Sequence, residues 1–271
     1  MTTLTLKSGF PVQQPTHRTT DSAGLTREVV DVLLLSETEK DRFLAELSAV
    51  ARQIFRGYDL AFLNHYFQAS GLISAKVQLF RETSGALVGF NIFRLFEQEI
   101  DGRIEASFRA LAGLLPAYRG RDSILAFCFA QSIPYKLRHP FRRLSYLLCA
   151  NHPSSYNVVA RYAGEFWPRH DIETPAHKFR FMKKLCATSD IEFGHDDLDY
   201  VVRHGRTTIQ NDNEAKSWAA SRNPHIRHYL TMNPDYEKGC GLICLVPLTG
   251  LNILLSGIRF AGRKIRRLIG A

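Results

Sequence analysis

The chain has 271 residues, 45 % of them hydrophobic, so it is long and apolar enough to form one large domain with its own core. Lys and Arg number 35 against 26 Asp and Glu, and the formal net charge of +9 favours anionic partners such as phosphates, acidic lipids or nucleic acid. The five Cys show no pairing pattern, which argues against a disulfide framework. Cys128 and Cys149 are predicted as buried thiols in a reducing compartment.

The first segment, residues 1–22, is rich in Thr, Ser, Gln and Pro and has no apolar periodicity, so we predict a flexible arm. It contains no basic patch followed by an apolar stretch, so no secretory signal peptide is expected and the predicted location is the cytoplasm. Residues 23–249 are predicted to form one domain, followed by a helix over 250–271.

The first half of this domain shows strand, helix and hairpin patterns. Arg27 to Leu35 has the β-branched composition of a strand, and the capping box that follows predicts a helix to about Arg56. Residues 57–72 are aromatic and ambiguous, and a second helix is one interpretation. Turn signals at Ser84-Gly85 and Asp101-Gly102 then predict an antiparallel three-stranded meander. Its strands are Ala75–Arg81, Ala86–Glu97 and Ile104–Leu115.

The stretch from Arg109 to Arg121 is the most informative in the chain. It predicts a strand that runs into a tight Arg- and Gly-rich turn, followed by a helix to about His139. Such a turn directs backbone N–H groups and a helix N-terminus at an anion, and Arg119 and Arg121 add positive charge. We therefore predict a phosphate site of nucleotide or CoA type, with plain surface charge as the alternative role of the two arginines.

Strand and helix signals alternate beyond the turn. The apolar run Leu144–Ala150 predicts a buried strand, and Pro153 opens another helix. The strands before and after the turn are therefore expected to form a parallel pair with a crossover between them. Residues 207–240 are predicted as a helical insertion. Further strand signals are Tyr200–Arg206 and Leu242–Pro247.

In order, the elements are strand, helix, helix, three-strand meander, Arg/Gly turn, helix, strand, helix, strand and strand. This order resembles the fold of the GNAT (GCN5-related N-acetyltransferase) superfamily, and Leu115–Arg121 resembles the first half of that family's CoA pyrophosphate signature. Leu144–Ala150 followed by Asn151, with Asn157 and Tyr162 on the next helix, resembles its second motif. The resemblance implies an α/β fold with a GNAT-like mixed central sheet flanked by helices, here followed by a C-terminal amphipathic helix.

The function that this resemblance implies is transfer of an acyl group to an amine from an acyl-CoA or acyl-carrier-protein thioester. Such a transfer needs no metal and no side-chain nucleophile, because a backbone N–H near Ala112–Leu114 can polarise the carbonyl while an acid protonates the leaving thiolate. The resemblance places the donor on these residues: Leu114, Leu115, Tyr118, Arg119, Gly120, Arg121, Ser123 and Asn151.

Three side chains are candidates for the proton-transfer roles. Glu105, on the third strand of the meander, is the candidate general base, and a solvent-facing strand residue is the alternative interpretation. Tyr162 is the first candidate for the acid and Tyr156 the second. For both tyrosines the alternative is an aromatic side chain that packs a helix.

Two positions depart from the family signature, with Asp122 at its first Gly and Ile124 at its final Gly or Ala. A carboxylate there indicates either a helix N-cap that points away or an altered donor, such as a carrier protein whose phosphopantetheine arm needs no 3′-phosphate site. The same departures keep a second class of function open. That class is a non-catalytic protein of this fold that binds an acyl ligand or tethers a partner to a membrane.

Metal, nucleophile and nucleic-acid chemistry is not expected. His225-x-x-His228 and His195-Asp196-Asp197 lack the ligand set and spacing of a metal site. Cys149 has no His and Asn or Asp context visible in the sequence that would make it a nucleophile. No Gly-x-Ser-x-Gly elbow, zinc finger or RNA-binding signature occurs, so nucleic acid is not the expected partner.

Residues 250–271 are the second informative stretch. Helical spacing places apolar side chains on one face, and Lys and Arg cluster toward the end. Such a helix suits the inner, anionic surface of a membrane, where a long-chain acyl group or a lipid-like amine could be used. Packing on the domain, a dimer contact and nucleic acid are the alternatives. The apolar residues are Leu251, Leu254, Leu255, Ile258, Ala261, Ile265, Leu268 and Ile269.

Overall fold

The computed structural model describes residues 19–20, 24–119, 123–189, 191 and 200–268. The strands in this part of the chain are β1 (Thr19–Thr20), β2 (Thr26–Asp31), β3 (Phe55–Arg56), β4 (Leu72–Arg81), β5 (Leu87–Ile100), β6 (Arg103–Leu114), β7 (Leu144–Ala150), β8 (Val201–Arg203), β9 (Thr207–Thr208) and β10 (Cys240–Pro247). The α-helices are α1 (Glu37–Ile54), α2 (Leu60–Tyr66), α3 (Ser123–Arg138), α4 (Pro153–Tyr162), α5 (Ala176–Ala187), α6 (Asp212–Ala219), α7 (Pro224–Met232) and α8 (Gly250–Leu268).

One mixed sheet of eight strands forms the centre of the molecule, in the order β1-β2-β4-β5-β6-β7-β10-β8. Its neighbouring strands are antiparallel except β6 and β7, which run parallel. β3 and β9 form a separate two-stranded ribbon. The structure confirms the predicted meander β4–β5–β6 and the predicted parallel pair, whose strands are joined by the crossover helix α3.

The first predicted strand is shorter than expected from its composition. β2 ends at Asp31 because the Asp31 carboxylate accepts a hydrogen bond from the Leu33 N–H (3.2 Å), which turns the chain into a short 3₁₀ helix. The predicted capping box is confirmed, since Ser36 and Glu39 bond reciprocally at the start of α1. At the N-terminus, Thr19–Thr20 pairs with β2, and the remainder of the predicted arm lies outside the described residues.

Helices cover both faces of the sheet. Ile92 packs in the core under α1 and α2, while its neighbour Phe93 packs in the core under α3, because successive strand residues point to opposite faces. In the same way Leu147 faces α5, and Leu148 faces α4 and α7. This is the predicted α/β architecture, a mixed central sheet flanked by helices.

α5 was not predicted, and it lies between α4 and β8 in the chain. It packs on the sheet through Met182, Leu185 and Cys186, which have helical spacing and are fully buried. The predicted insertion over 207–240 contains α6 and α7.

The C-terminal helix α8 packs with its polar side inward. Asn252 and Ser256 are buried, whereas Leu251 and Leu254 are 68 % and 60 % exposed. Asn252 holds the helix in place, because its side-chain oxygen accepts from the N–H groups of Gly164 and Glu165 (2.8 and 2.9 Å). None of the helices in the described residues is both long and apolar enough to cross a membrane.

Candidate active site

The centre of the candidate site is the place where β6 and β7 separate. The parallel pairing covers three residue pairs, after which β6 continues to Leu114 and β7 to Ala150 without further pairing between them. We call this opening the β6–β7 wedge. Its facing strand edges are not used by the sheet, so their N–H and C=O groups can bond an extended ligand. The pairs at its closed end are Ala106–Leu144, Ser107–Ser145 and Phe108–Tyr146.

A polar cluster lies where β7 ends. Asn151 is its centre: its side-chain nitrogen donates to the Tyr58 hydroxyl (2.7 Å), and its side-chain oxygen lies 2.8 Å from His204 Nε2. The Cys149 thiol lies 3.2 Å from the same oxygen. We call Tyr58, Cys149, Asn151 and His204 the β7-end cluster. Four polar side chains from three parts of the chain therefore meet beside the open end of the wedge.

His204 is neutral and holds one tautomer. Its Nδ1 accepts the backbone N–H of Arg206 (3.0 Å), so Nε2 carries the proton and donates to Asn151. Burial, together with the nearby Arg206 guanidinium, lowers the pKa of His204 to about 4. A neutral imidazole with both nitrogens engaged is a poor general base, so His204 acts here by orienting the Asn151 amide.

Tyr58 is the group in the cluster best placed to donate a proton or a hydrogen bond. Burial raises the pKa of Tyr58, so the phenol keeps its proton at neutral pH. Its oxygen already accepts from Asn151, which leaves the hydroxyl proton to point elsewhere. Sequence reasoning missed both Tyr58 and His204.

Cys149 is not a nucleophile in this setting. The structure does bring Asn151 and His204 to it, a context that the sequence did not show. However, burial raises the pKa of the Cys149 thiol to about 12, so it stays protonated at neutral pH.

The three predicted catalytic side chains lie away from this cluster. Tyr156 is fully buried in α4, and its hydroxyl donates to the Pro168 carbonyl (2.9 Å), as expected for a packing residue. Tyr162 is buried against Phe260 of α8, and it lines an apolar pocket on the α3–α4 face of the sheet.

Glu105 precedes the parallel pairs and so lies beyond the closed end of the wedge. Nine residues of extended chain place Leu114 about 30 Å away. Glu105 is not solvent-facing either: it is 4 % exposed and lies 3.4 Å from the Arg143 guanidinium. The structure therefore does not bring Glu105 into the candidate site.

The predicted phosphate turn is described as far as Arg119. The Arg119 guanidinium donates to the Glu214 carboxylate of α6 (2.8 Å) and to the Ile209 carbonyl (2.7 Å). Tyr118 bonds the Glu82 carboxylate through its hydroxyl, and Leu115 donates its N–H to Val88. Leu114 ends β6 and Ser123 begins α3. Gly120, Arg121 and Asp122 lie outside the described residues.

Arg94 brings a buried positive charge close to the closed end of the wedge. It is 4 % exposed and is the cross-strand neighbour of Arg109, which follows Phe108 in β6. One Arg94 nitrogen donates to the Tyr66 carbonyl (2.5 Å), and the guanidinium carbon lies 3.1 Å from the centre of the Tyr66 ring. Burial lowers the pKa of Arg94. Within the described residues no carboxylate contacts it, so the site favours a negatively charged group.

The described residues hold no group of three or more His, Cys, Asp or Glu side chains arranged to bind a metal ion. His225 and His228 lie on α7, and the ring of His225 is 4.3 Å from that of His170. His195, Asp196 and Asp197 lie outside the described residues.

No protein-family model matches the chain, and no curated protein matches it. Among solved structures, NAA60 of Arabidopsis thaliana with acetyl-CoA is 13 % identical, with 54 % of this chain and 89 % of that chain covered and a TM-score of 0.35. A NatC complex bound to Gag peptide and CoA is 9 % identical, with 82 % of this chain and 99 % of that chain covered and a TM-score of 0.38. The ribosomal-protein-alanine N-acetyltransferase of Brucella melitensis biovar Abortus 2308 is 18 % identical, with 46 % of this chain and 79 % of that chain covered and a TM-score of 0.28.

Likeness at these identities and TM-scores assigns neither activity nor substrate. The fold is assigned on what the chain itself shows: the meander, the crossover helix α3, the parallel β6–β7 junction and the insertion of the last strand, β10, between β7 and β8. These features give the chain the GNAT-like fold that its sequence resembles.

Proposed function

We propose that the protein is an N-acyltransferase that moves an acyl group from a CoA or carrier-protein thioester to an amine. The observation that carries this proposal is the β6–β7 wedge. The pantetheine arm common to both donors is an extended chain with amide groups, and two open strand edges offer it the backbone partners of an added strand. The thioester would then lie near the β7-end cluster.

The chemistry in this proposal needs few groups. The nitrogen of a neutral amine attacks the thioester carbonyl, the C–S bond breaks, and the sulfur leaves as a thiolate that takes up a proton. The nitrogen loses one N–H proton to solvent water, and solvent returns a proton to the group that protonated the sulfur, so the transfer balances. A backbone N–H of Ala112–Leu114 on β6 polarises the carbonyl, and the Tyr58 hydroxyl donates to the departing sulfur. Asn151, held by His204, fixes the position of the Tyr58 oxygen.

The proposed acyl group is a long one. An apolar pocket at the closed end of the wedge is lined by Phe108, Tyr146 and Phe129, and α8 covers it through Ile253. Its volume is about 30 Å³, so a long chain must displace part of this packing to enter. The proposed acceptor is a small or lipid-like amine that also carries a carboxylate, because Arg94 is buried near the wedge and no carboxylate of the described residues contacts it.

The proposed place of reaction is the cytoplasmic face of an anionic membrane. The support for it is the exposed apolar face of α8 together with the Lys and Arg residues of its second half.

A direct assay tests the proposal. The purified protein is incubated with acyl-CoA and acyl-carrier-protein donors of increasing chain length and with an amine panel that includes amino acids, and thiol release and product mass are measured. Tyr58→Phe is expected to lower kcat about 10²-fold with little change in donor affinity, because it removes only the proton donor. Tyr135→Phe, whose hydroxyl bonds Glu97, is the matched control and is expected to keep its activity.

The non-catalytic alternative has one observation in its favour, namely that Arg119 is already paired with Glu214. Saturable donor binding without turnover of any amine would favour this alternative. If the wild type turns over an amine and Tyr58→Phe does so equally fast, the protein is an enzyme but Tyr58 is not its proton donor.

A further inference from the structure

A second cavity, of about 420 Å³, lies on the α3–α4 side of the molecule, between α4, α7 and the middle of α8. We call it the α4–α7–α8 pocket. Its volume is within the range of small-ligand sites. The residues that give it its character are Arg161, Arg169, His170, Asp171, His225 and Arg259.

The pocket has an excess of positive charge. Three arginines against one aspartate leave an excess of two positive charges from these side chains. Arg169 bonds Asp171 through two nitrogens (2.5 Å each), so that carboxylate is already committed. Arg259 donates to the Ala163 carbonyl at the end of α4. Within the described residues Arg161 makes no hydrogen bond or ion pair, and it is half-buried.

Two histidine nitrogens at or beside the pocket also lack partners. Within the described residues, the buried His225 Nδ1 and the neighbouring buried His228 Nε2 have no hydrogen-bond partner, whereas His170 Nδ1 lies 3.7 Å from the Asp171 carboxylate. The ring of His170 stands edge-on to that of His225, with centroids 4.3 Å apart. A buried polar atom without a partner costs free energy, and a ligand with several acceptor oxygens would remove that cost.

We infer that the α4–α7–α8 pocket binds a phosphate monoester, with Arg161 as its principal contact. A phosphate presents several oxygens to separate donors and a double negative charge to the surplus cations, and the planar guanidinium matches two of those oxygens. A divalent cation does not fit the charge of the pocket. The inference is independent of the proposed acyl transfer, since no wedge or β7-end cluster residue takes part.

The phosphate could belong to a soluble ester or to a lipid headgroup, because Arg259 lies on the helix whose apolar face is exposed. Two arms separate these sources. Calorimetric titration with glycerol 1-phosphate measures the soluble ligand, and co-sedimentation with phosphatidylcholine vesicles, with and without phosphatidic acid, measures the lipid.

Arg161→Gln is expected to weaken binding at least tenfold in whichever arm shows it. Arg180→Gln, an equal change of charge on exposed α5, is the matched control and is expected to have no effect. If Arg161→Gln does not fold, Arg161→Lys decides the question, and it should weaken binding less because it keeps the charge but loses the two-point contact.

Binding in the soluble arm identifies a soluble ester, and Arg161-dependent binding confined to phosphatidic acid vesicles identifies a lipid. No saturable binding in either arm overturns the inference. So does binding that Arg161→Gln and Arg180→Gln affect equally, since that result shows a general charge effect.

Discussion

Gly241 of β10 packs directly against the side chains of the β7-end cluster and leaves no space for a side chain of its own. A Cβ added there would lie 2.3 Å from Cys149 Sγ, 2.5 Å from Asn151 Oδ1 and 2.9 Å from His204 Nε2. Those distances are shorter than van der Waals contact, so three of the four cluster residues would have to move. Glycine at this position is therefore required by space and not by backbone conformation.

Gly241→Ala is expected to lower the free energy of unfolding by about 1–3 kcal/mol, the usual cost of overpacking a core. Urea unfolding measures it. Gly257→Ala in α8 is the control, because a Cβ there meets nothing within 4 Å, and it should raise stability by about 0.5–1 kcal/mol. Adding Cys149→Ala to Gly241→Ala should recover part of the loss. If Gly241→Ala is as stable as the wild type, the cluster is looser than the structure shows.

Only part of the β7-end cluster could be predicted from the sequence. Asn151 was predicted because Leu144–Ala150 followed by Asn resembles the second motif of the GNAT superfamily. Tyr58 and His204 were not, since they are 93 and 53 positions away from Asn151 in the chain and only tertiary packing brings them together. Tyr162 was predicted from the same motif, with Tyr156 as the second candidate on its helix, but the sequence does not show what either hydroxyl packs against.

The ion pair between Arg119 and Glu214 links two elements, the turn after β6 and the helix α6. Both side chains are about three-quarters buried. The Ile209 carbonyl accepts a second bond from the same guanidinium (2.7 Å). If Arg119 is to bind a donor phosphate, as the sequence predicts, that phosphate must compete with the Glu214 carboxylate.

Glu214→Gln is therefore expected to raise donor affinity severalfold, because it removes the competing negative charge. Arg119→Gln is expected to weaken donor binding by about 1–3 kcal/mol, the value of a charge-assisted bond. Calorimetric titration with CoA measures both. Asp212→Asn, an exposed residue in the first turn of the same helix, is the control. Weaker binding in Glu214→Gln would show that α6 supports the donor site and does not compete with it.

Elements with strong local signals were predicted well. β7 matches its predicted bounds, because all residues of Leu144–Ala150 except Ser145 are apolar or aromatic, and the meander follows from its turn residues. The 3₁₀ turn after β2 depends on one Asp31 hydrogen bond, which composition does not reveal. α5 did carry a readable signal in Met182, Leu185 and Cys186, but its many basic residues obscure it.

At the scale of the whole molecule, the orientation of α8 determines what the C-terminal helix can do. A helix that served only to pack on the domain would bury its apolar face. Here Asn252 and Ser256 face the domain, and Leu251, Leu254 and Ile258 are 68 %, 60 % and 59 % exposed. A bilayer or a second protein can cover such a face, and we propose the bilayer because cationic residues attract an anionic surface.

A double variant, Leu254→Ser with Ile258→Ser, tests this use of α8. Each side chain loses about 1.5–3 kcal/mol of transfer free energy when it is kept from an apolar phase, so vesicle binding should fall more than tenfold. Thermal stability should hardly change, since both side chains are already exposed. Co-sedimentation with anionic and neutral vesicles at two salt concentrations measures the effect, and binding to anionic vesicles should weaken as salt rises.

Leu34→Ser is the matched control, because Leu34 is 78 % exposed and lies before α1, outside α8. It should leave vesicle binding unchanged. The remaining explanation is a dimer contact, which sedimentation velocity tests. If the wild type is a dimer, the double variant is a monomer and vesicle binding is intact, the apolar face of α8 joins two copies of the chain. Neither variant changes Asn252, Gly164 or Glu165, whose hydrogen bonds attach the helix, so either result reports on the exposed face.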